Sequence, residues 1–298
     1  MRYALLGGRG ILGSGFRSQL DHRGAELVLL RPPWESIGEV SRTVCSELVR
    51  LLRDGRPMTI IWAAGVGHVG ASETQLAAET AGVAAAAKAL HEISRETAAA
   101  TTVLFASSAG ALFAGVDSIV DEDTKPSPIA AYGWEKLRQE ELLRRASEET
   151  GARIIVCRMS NLYGLAEGHL SARGLVSIAV RCTRLRQPMT VFVSPDTRRD
   201  YVFNSDAAAL ALHACENAPP GFSTALIREG RTRTVAEVLG LVGAVARRRV
   251  PAVYGERPET RLQPRAVRFA PPAPDRHRPP VTPMEAGIAR MVMAPIAS

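Results

Sequence analysis

The chain has 298 residues, 46% of them hydrophobic, with a formal charge of +7. This is enough to bury a large core, as one large domain or a main domain with a lobe, and no apolar run reaches membrane-spanning length, so a soluble protein is expected. The positive charge is concentrated in residues 247–298, where ten arginines face four acidic residues among ten of the nineteen prolines; with no basic helix interleaved with aromatics, this favours an anionic small substrate or a solvated basic tail over nucleic acid.

Residues 2–6 read as a short buried strand, followed directly by Gly7-Gly8-Arg9-Gly10-Ile11-Leu12-Gly13 and a helix to about Leu20. No secretory h-region precedes the strand, which predicts a cytoplasmic protein. The G-x-x-G-x-x-G spacing allows a tight turn, a close approach of backbone amides to a pyrophosphate, and packing of helix on strand. Lying between a strand and a helix, it predicts a dinucleotide cradle. Strand 26–30 ends at Arg31, before Pro32-Pro33. A helix over 36–53 leads to strand 59–63, which runs into Ala63-Ala64-Gly65. An alanine-rich helix over 72–97 and a strand over 101–106 follow, the latter ending in Ser107-Ser108. A helix over 129–150 precedes strand 153–158. Apolar strands alternating with helices predict a doubly wound parallel α/β sheet covered on both faces. Beyond it, the patterns predict helix 174–186, strand 189–193 and helices 206–216 and 235–248. A proline-rich loop over 270–283 and a short helix over 284–293 close the chain. Cys45, Cys157, Cys182 and Cys215 are scattered, without C-x-x-C spacing or clustered His, which predicts free thiols and no metal centre.

The helix over 129–150 carries Tyr132 and Lys136, four residues apart and therefore on one face. A free phenol titrates near pH 10 and is a poor proton donor or acceptor at neutrality. An ammonium at about 5 Å, with an effective dielectric of about 20, is worth roughly 3 kcal/mol, or about two pKa units. On that reasoning Lys136 acidifies Tyr132 into working range.

With Ser108 as a second donor, the constellation resembles the Ser-Tyr-Lys site of the short-chain dehydrogenases/reductases. The matching residues are Gly7, Gly10 and Gly13; Ala63-Ala64-Gly65; Phe105-Ala-Ser-Ser108; Pro128; Tyr132-Gly-x-x-Lys136; Arg158-Met-Ser-Asn-Leu-Tyr-Gly164; and Arg199-Asp-Tyr-Val-Phe. Their order resembles the extended branch of that family, the sugar-nucleotide epimerases, dehydratases and ketoreductases, closely over 2–215 and loosely beyond. The resemblance implies a Rossmann domain over 1–162, with 198–216 returning to it, and a smaller C-terminal substrate-binding lobe over 163–298. It implies Ser108, Tyr132 and Lys136 as catalytic groups. Gly7, Gly8, Arg9, Gly10, Ile11, Leu12, Gly13, Arg31, Ala63, Ala64, Gly65 and Met159 would hold the cofactor together with Tyr132 and Lys136. Asn161 and Arg199 match positions that contact a nucleotide diphosphate, with one of Arg265, Arg268, Arg276 or Arg278 as a further contact. Thr80 takes the helix position where many relatives carry Asn.

NAD-using members end the second strand with a carboxylate; here Arg31 stands there, and a guanidinium can grip a 2′-phosphate. NADP is therefore the expected cofactor, with Arg9 reaching the same phosphate. Dehydratases place Asp-Glu after the catalytic hydroxyl residue, whereas Ala109-Gly110 follows Ser108. The resemblance thus implies an oxidoreductase, an NADP-dependent 4-ketoreductase acting on a nucleotide-linked sugar such as a dTDP-4-keto-6-deoxyhexose. The alternatives are a 4-epimerase with tightly bound NAD(P), a reductase of nucleotide-free ketones, and a non-catalytic cofactor-sensing protein. Relatives pair through two long helices, here 72–97 and 129–150, so a homodimer is expected.

Overall fold

The computed structural model describes residues 1–34, 36–65, 67–171 and 173–296. Its elements begin β1 (Arg2–Leu6), α1 (Ile11–His22), β2 (Glu26–Leu30), α2 (Ile37–Leu52), β3 (Met58–Trp62), α3 (Glu73–His91), α4 (Arg95–Ala99), β4 (Thr101–Ser108), α5 (Ala109–Leu112), β5 (Ile119–Val120), α6 (Ala131–Thr150) and β6 (Arg153–Met159). They continue β7 (Asn161–Tyr163), β8 (Leu165–Ala166), β9 (His169–Leu170), α7 (Leu175–Leu185), β10 (Met189–Val191), β11 (Arg198–Phe203), α8 (Asn204–Glu216), β12 (Phe222–Ile227), β13 (Thr232–Thr234), α9 (Val235–Val245), β14 (Ala252–Tyr254), β15 (Arg268–Phe269) and α10 (Met284–Met293).

The central sheet has six parallel strands in the order β12-β6-β4-β3-β1-β2. Strand order reverses between β1 and β3, and in doubly wound sheets such a reversal opens a crevice at the carboxyl ends of the strands. Side chains alternate across the sheet, and that alternation divides the core. Ala4, Leu6, Ile60, Trp62, Val103, Phe105 and Ile154 pack against α2, α3 and α6 on one face. Tyr3, Leu5, Ile61, Leu104, Ile155 and Cys157 pack against α1 and α8 on the other. A third cluster joins β7, α7, β10, β11, α9 and α10 around Val176, Val180, Tyr201, Val238 and Ile288.

Local chemistry explains the helix starts. Ser36 accepts from the Glu39 amide before α2, while Ser72 with Gln75 and Thr234 with Glu237 form reciprocal capping boxes. The expected single helix over 72–97 is instead two helices, because Ser94 caps a fresh start at Arg95 by accepting from the Thr97 amide. The sheet also has an edge strand, β12, that periodicity did not reveal. Its side chains are mostly half-buried on both faces, so it lacks a clean alternation. The four cysteines are free thiols. Among the described residues, no helix is long and apolar enough to cross a membrane.

Candidate active site

The glycine turn is shaped by close packing. Gly7 has φ +84°, and a Cβ there would lie 2.5 Å from the Ala63 carbonyl oxygen, so the turn can seat against the loop after β3 only without a side chain. A Cβ on Gly13 would lie 2.0 Å from the Gly7 oxygen, which holds α1 down on the turn. Gly10 caps α1, and the nearest atom to a Cβ there is the Gly7 oxygen at 3.5 Å. No side chain caps the first amides of α1, and such orphan donors at a helix start suit a phosphate. A dinucleotide pyrophosphate therefore fits the residues present.

The turn forms one end of a cleft of about 1080 Å³. Arg9, Gly10, Ile11, Leu12, Ala63, Ala64, Gly65, Ser108, Tyr132, Lys136 and Met159 all line it, so the structure brings together most of the residues singled out in the sequence. Tyr132 is half-buried in the first turn of α6, and Lys136 lies one turn further on. The Lys136 Nζ is 5.9 Å from the Tyr132 ring centre and 4.9 Å from that of Phe105. Ser108, at the end of β4, lines the same cleft as the phenol.

The electrostatics differ from the expectation in one respect. Lys136 donates to Glu79 Oε1 at 2.6 Å and to the Ala106 carbonyl at 3.4 Å. Burial pushes the Tyr132 phenol up, Lys136 pulls it down, Glu79 pushes it up again and the Ser108 hydroxyl pulls it down; the net shift is upward. The expected acidification fails chiefly because burial of the phenol outweighs Lys136, with Glu79 adding to the upward shift. Burial also disfavours the Lys136 ammonium, but Glu79 outweighs that cost and its pKa is raised.

Glu79, which lines the cleft, is a site residue that no motif in the sequence marks. On α3, Thr80 turns away from the cleft, donating to Glu135 at 2.7 Å and accepting from Gln139 at 2.9 Å. One residue around a helix is about 100°, so the neighbouring position faces the cleft instead. Arg9 lines both this cleft and the neighbouring pocket that holds Arg31. Its Nε pairs with Glu167 at 3.2 Å, and Arg17 pairs with the same carboxylate at 2.9 Å. The Glu167 amide donates to Ser14 at 2.7 Å, so the β8–β9 hairpin lies across the glycine turn. Arg31, with Gly7, Gly8, Arg9 and Gly10, lines a neighbouring pocket of about 220 Å³. Met159 ends β6 in the cleft wall, whereas Asn161 lies in a separate pocket of about 240 Å³ beside Gly174, Leu175 and Tyr201. Arg199 donates to the carbonyls of Arg198 and Pro264, both at 2.7 Å, and is not among the residues lining the cleft. Burial pushes its guanidinium pKa down. Asp200, next along β11, is buried and accepts from the amides of Glu229, Gly230 and Arg231. Of the four C-terminal candidates, Arg265 and Arg268 border a different pocket, Arg278 donates to the Arg228 carbonyl, and among the described residues none lines the cleft.

A doubly wound sheet whose switch point carries a glycine cradle, with a hydroxyl, a phenol and an ammonium facing it, defines a nucleotide-binding α/β protein of the short-chain dehydrogenase/reductase type. The chain belongs to the NAD dependent epimerase/dehydratase family, whose model matches residues 3–223. It is similar to the Escherichia coli dTDP-4-dehydro-6-deoxyglucose reductase, at 30% identity over 35% of this chain and 33% of that one. It is also similar to the Azospirillum brasilense UDP-glucose 4-epimerase, at 30% identity over 52% of this chain and 49% of that one. The chain thus spans a third to a half of the length of these curated relatives. The fold matches that of a Thermus thermophilus UDP-glucose 4-epimerase solved with NAD, with a TM-score of 0.80 at 21% identity over 98% of each chain.

Proposed function

We propose that the protein catalyses the NADP-dependent reduction of a keto group on a nucleotide-linked sugar, a 4-ketoreductase reaction of the kind a dTDP-4-keto-6-deoxyhexose would undergo. The observation that carries this reading is the convergence of Ser108, Tyr132 and Lys136 on the cleft that the glycine turn opens. Gly7, Gly8, Gly10, Ile11, Leu12 and Gly13 would hold the pyrophosphate, and Ala63, Ala64, Gly65 and Met159 would border the nicotinamide half. When bound, the dinucleotide supplies a hydride to the keto carbon. Tyr132 gives its phenolic proton to the keto oxygen, and Ser108 donates a hydrogen bond to the same atom, so the charge building there is spread before it is neutralised. Lys136 holds the ribose and keeps Tyr132 in place.

Arg31 supports NADP, because it stands at the end of β2 beside the glycine turn, where a guanidinium suits a 2′-phosphate. NAD is the competing cofactor. Asn161 and Arg199 would contact the diphosphate, which requires Arg199 to leave its carbonyl partners. Residues 1–162 with 198–216, joined by the edge strand β12, would form the dinucleotide domain, and the rest of 163–298 would mainly bind substrate. A second copy would pack on the outer face of α3 and α6, where Trp134 is 57% exposed beside Leu76, Ala77 and Leu142.

The epimerase relative favours a second reading, sugar-nucleotide 4-epimerisation with a retained cofactor. Purified protein mixed with NADPH and a keto sugar nucleotide separates the two. Stoichiometric loss of nicotinamide absorbance with formation of the alcohol supports reduction. Epimerisation of a sugar nucleotide without net cofactor loss overturns it.

A further inference from the structure

Glu79 is a buried carboxylate in the cleft for which the Ser-Tyr-Lys scheme has no use. It comes from α3, is 1% exposed, and accepts on both carboxylate oxygens, from Lys136 Nζ at 2.6 Å and from the Gly67 amide at 2.8 Å. Its Oε2 lies so close to Gly65 that a Cβ there would come within 2.9 Å of it. The carboxylate therefore sits between the loop after β3 and the Tyr132–Lys136 pair, inside the cleft.

Two opposite charges in contact act on a neighbouring phenol as a small dipole rather than as a lone cation. An unpaired ammonium at the observed 5.9 Å from the ring centre would favour phenolate by about two pKa units at an effective dielectric of about 20. A carboxylate bonded to that ammonium opposes this, and burial of the phenol works in the same direction as the carboxylate. The other charges facing the pair leave that opposition in place. Glu140, next along α6, is itself bridged to Arg158 of β6 at 2.8 Å. His68 from the loop after β3, and Arg9, Glu167, His169 and Arg173 from the opposite side, line the same cleft, with Arg9 and Glu167 paired to each other.

We propose that Glu79 holds Tyr132 as a phenol in the resting site: by pairing with Lys136 it offsets the ammonium's pull toward phenolate, so the cleft starts with a proton to give to a carbonyl. The inference rests on the Ser-Tyr-Lys reading above, and it makes Glu79 a positioning residue acting through Lys136. It also separates the two candidate reactions. Epimerisation begins by removing a proton from a sugar hydroxyl, which requires phenolate; reduction begins with phenol in place.

The test is a titration of ligand-free protein in which the tyrosine Cζ carbons carry ¹³C, read by NMR. The chain has five tyrosines, and the Tyr132 resonance is assigned by its loss in Tyr132→Phe. In the wild type, Tyr132 is expected to stay protonated to beyond the ordinary value of 10.0. In Glu79→Gln its midpoint should fall by about two units, while Glu79→Asp, which keeps the charge, should stay near wild type. A wild-type midpoint near neutrality overturns the proposal without any variant, as does an unmoved midpoint in Glu79→Gln. Because no substrate or cofactor is present, failure of the protein to reduce a keto sugar would overturn the proposed reaction and leave this measurement standing.

Discussion

Replacing Lys136 by Met leaves the Glu79 carboxylate buried without its charged partner, and the cost can be worked from the geometry. The Lys136 and Glu79 side chains are 5% and 1% exposed and 2.6 Å apart, so neither is screened by water. The Gly67 amide still bonds one carboxylate oxygen. Breaking a buried pair in this way costs about 3–5 kcal/mol, a large part of the roughly 5–15 kcal/mol that holds a domain folded. The assay is urea unfolding followed by tryptophan fluorescence, with Trp62 buried against α3 near the site. Lys136→Met with Glu79→Leu should recover more than half of the loss, since exchanging a buried ion pair for apolar groups is often neutral. The pH dependence follows from the raised Lys136 pKa: its contribution is fully present below the ordinary 10.5 and is lost as pH rises through the folded value. The alkaline limb of stability should therefore be shallower in Lys136→Met. A cost below about 1 kcal/mol for the single variant, or no recovery in the double variant, would refute a strongly coupled buried pair.

Arg31→Asp should weaken NADP binding by about ten- to a hundredfold, the worth of a charge-assisted contact, and leave NAD binding equal or better; fluorescence titration with both cofactors decides it, and an unchanged NADP preference removes Arg31 from the phosphate site. Glu167→Ala should free Arg9 and Arg17 at the glycine turn and tighten dinucleotide binding severalfold, measured by calorimetry at low salt, because the lost carboxylate no longer competes for them. Since its arginine contacts, Arg9 foremost, hold the Glu167 carboxyl below its usual range, this clamp is present above the ordinary 4.5 and is lost as pH falls through the lowered value. Trp134→Glu should convert a dimer to monomer in sedimentation velocity, with unchanged far-ultraviolet dichroism; a variant that sediments like wild type moves the interface away from α3 and α6.

How far the sequence could be read depended on how local each contact is. The glycine turn, the strand spacing and the Tyr132–Lys136 interval are set within a few residues, and the parallel sheet follows from their repetition. The polar inner face of α6 could not be read that way. Lys136, Gln139 and Glu140 are buried on α6 beside Leu143 and Ala146, while Leu137 and Leu142 are only half-buried. Their partners, Glu79, Thr80 and Arg158, lie on other elements, and a polar residue looks solvated until its partner is known.

The chain by itself determined the doubly wound class and the place of the nucleotide cradle, because backbone sterics and apolar period act over short stretches. Only the tertiary structure decided which charges meet. Folding brings Glu79 to Lys136 across 57 positions and Glu167 to Arg9 across 158, and it replaces a lone ammonium beside a phenol with a neutralised pair. Whether that phenol is an acid or a base is an electrostatic property of distances in space, which no spacing along the sequence records.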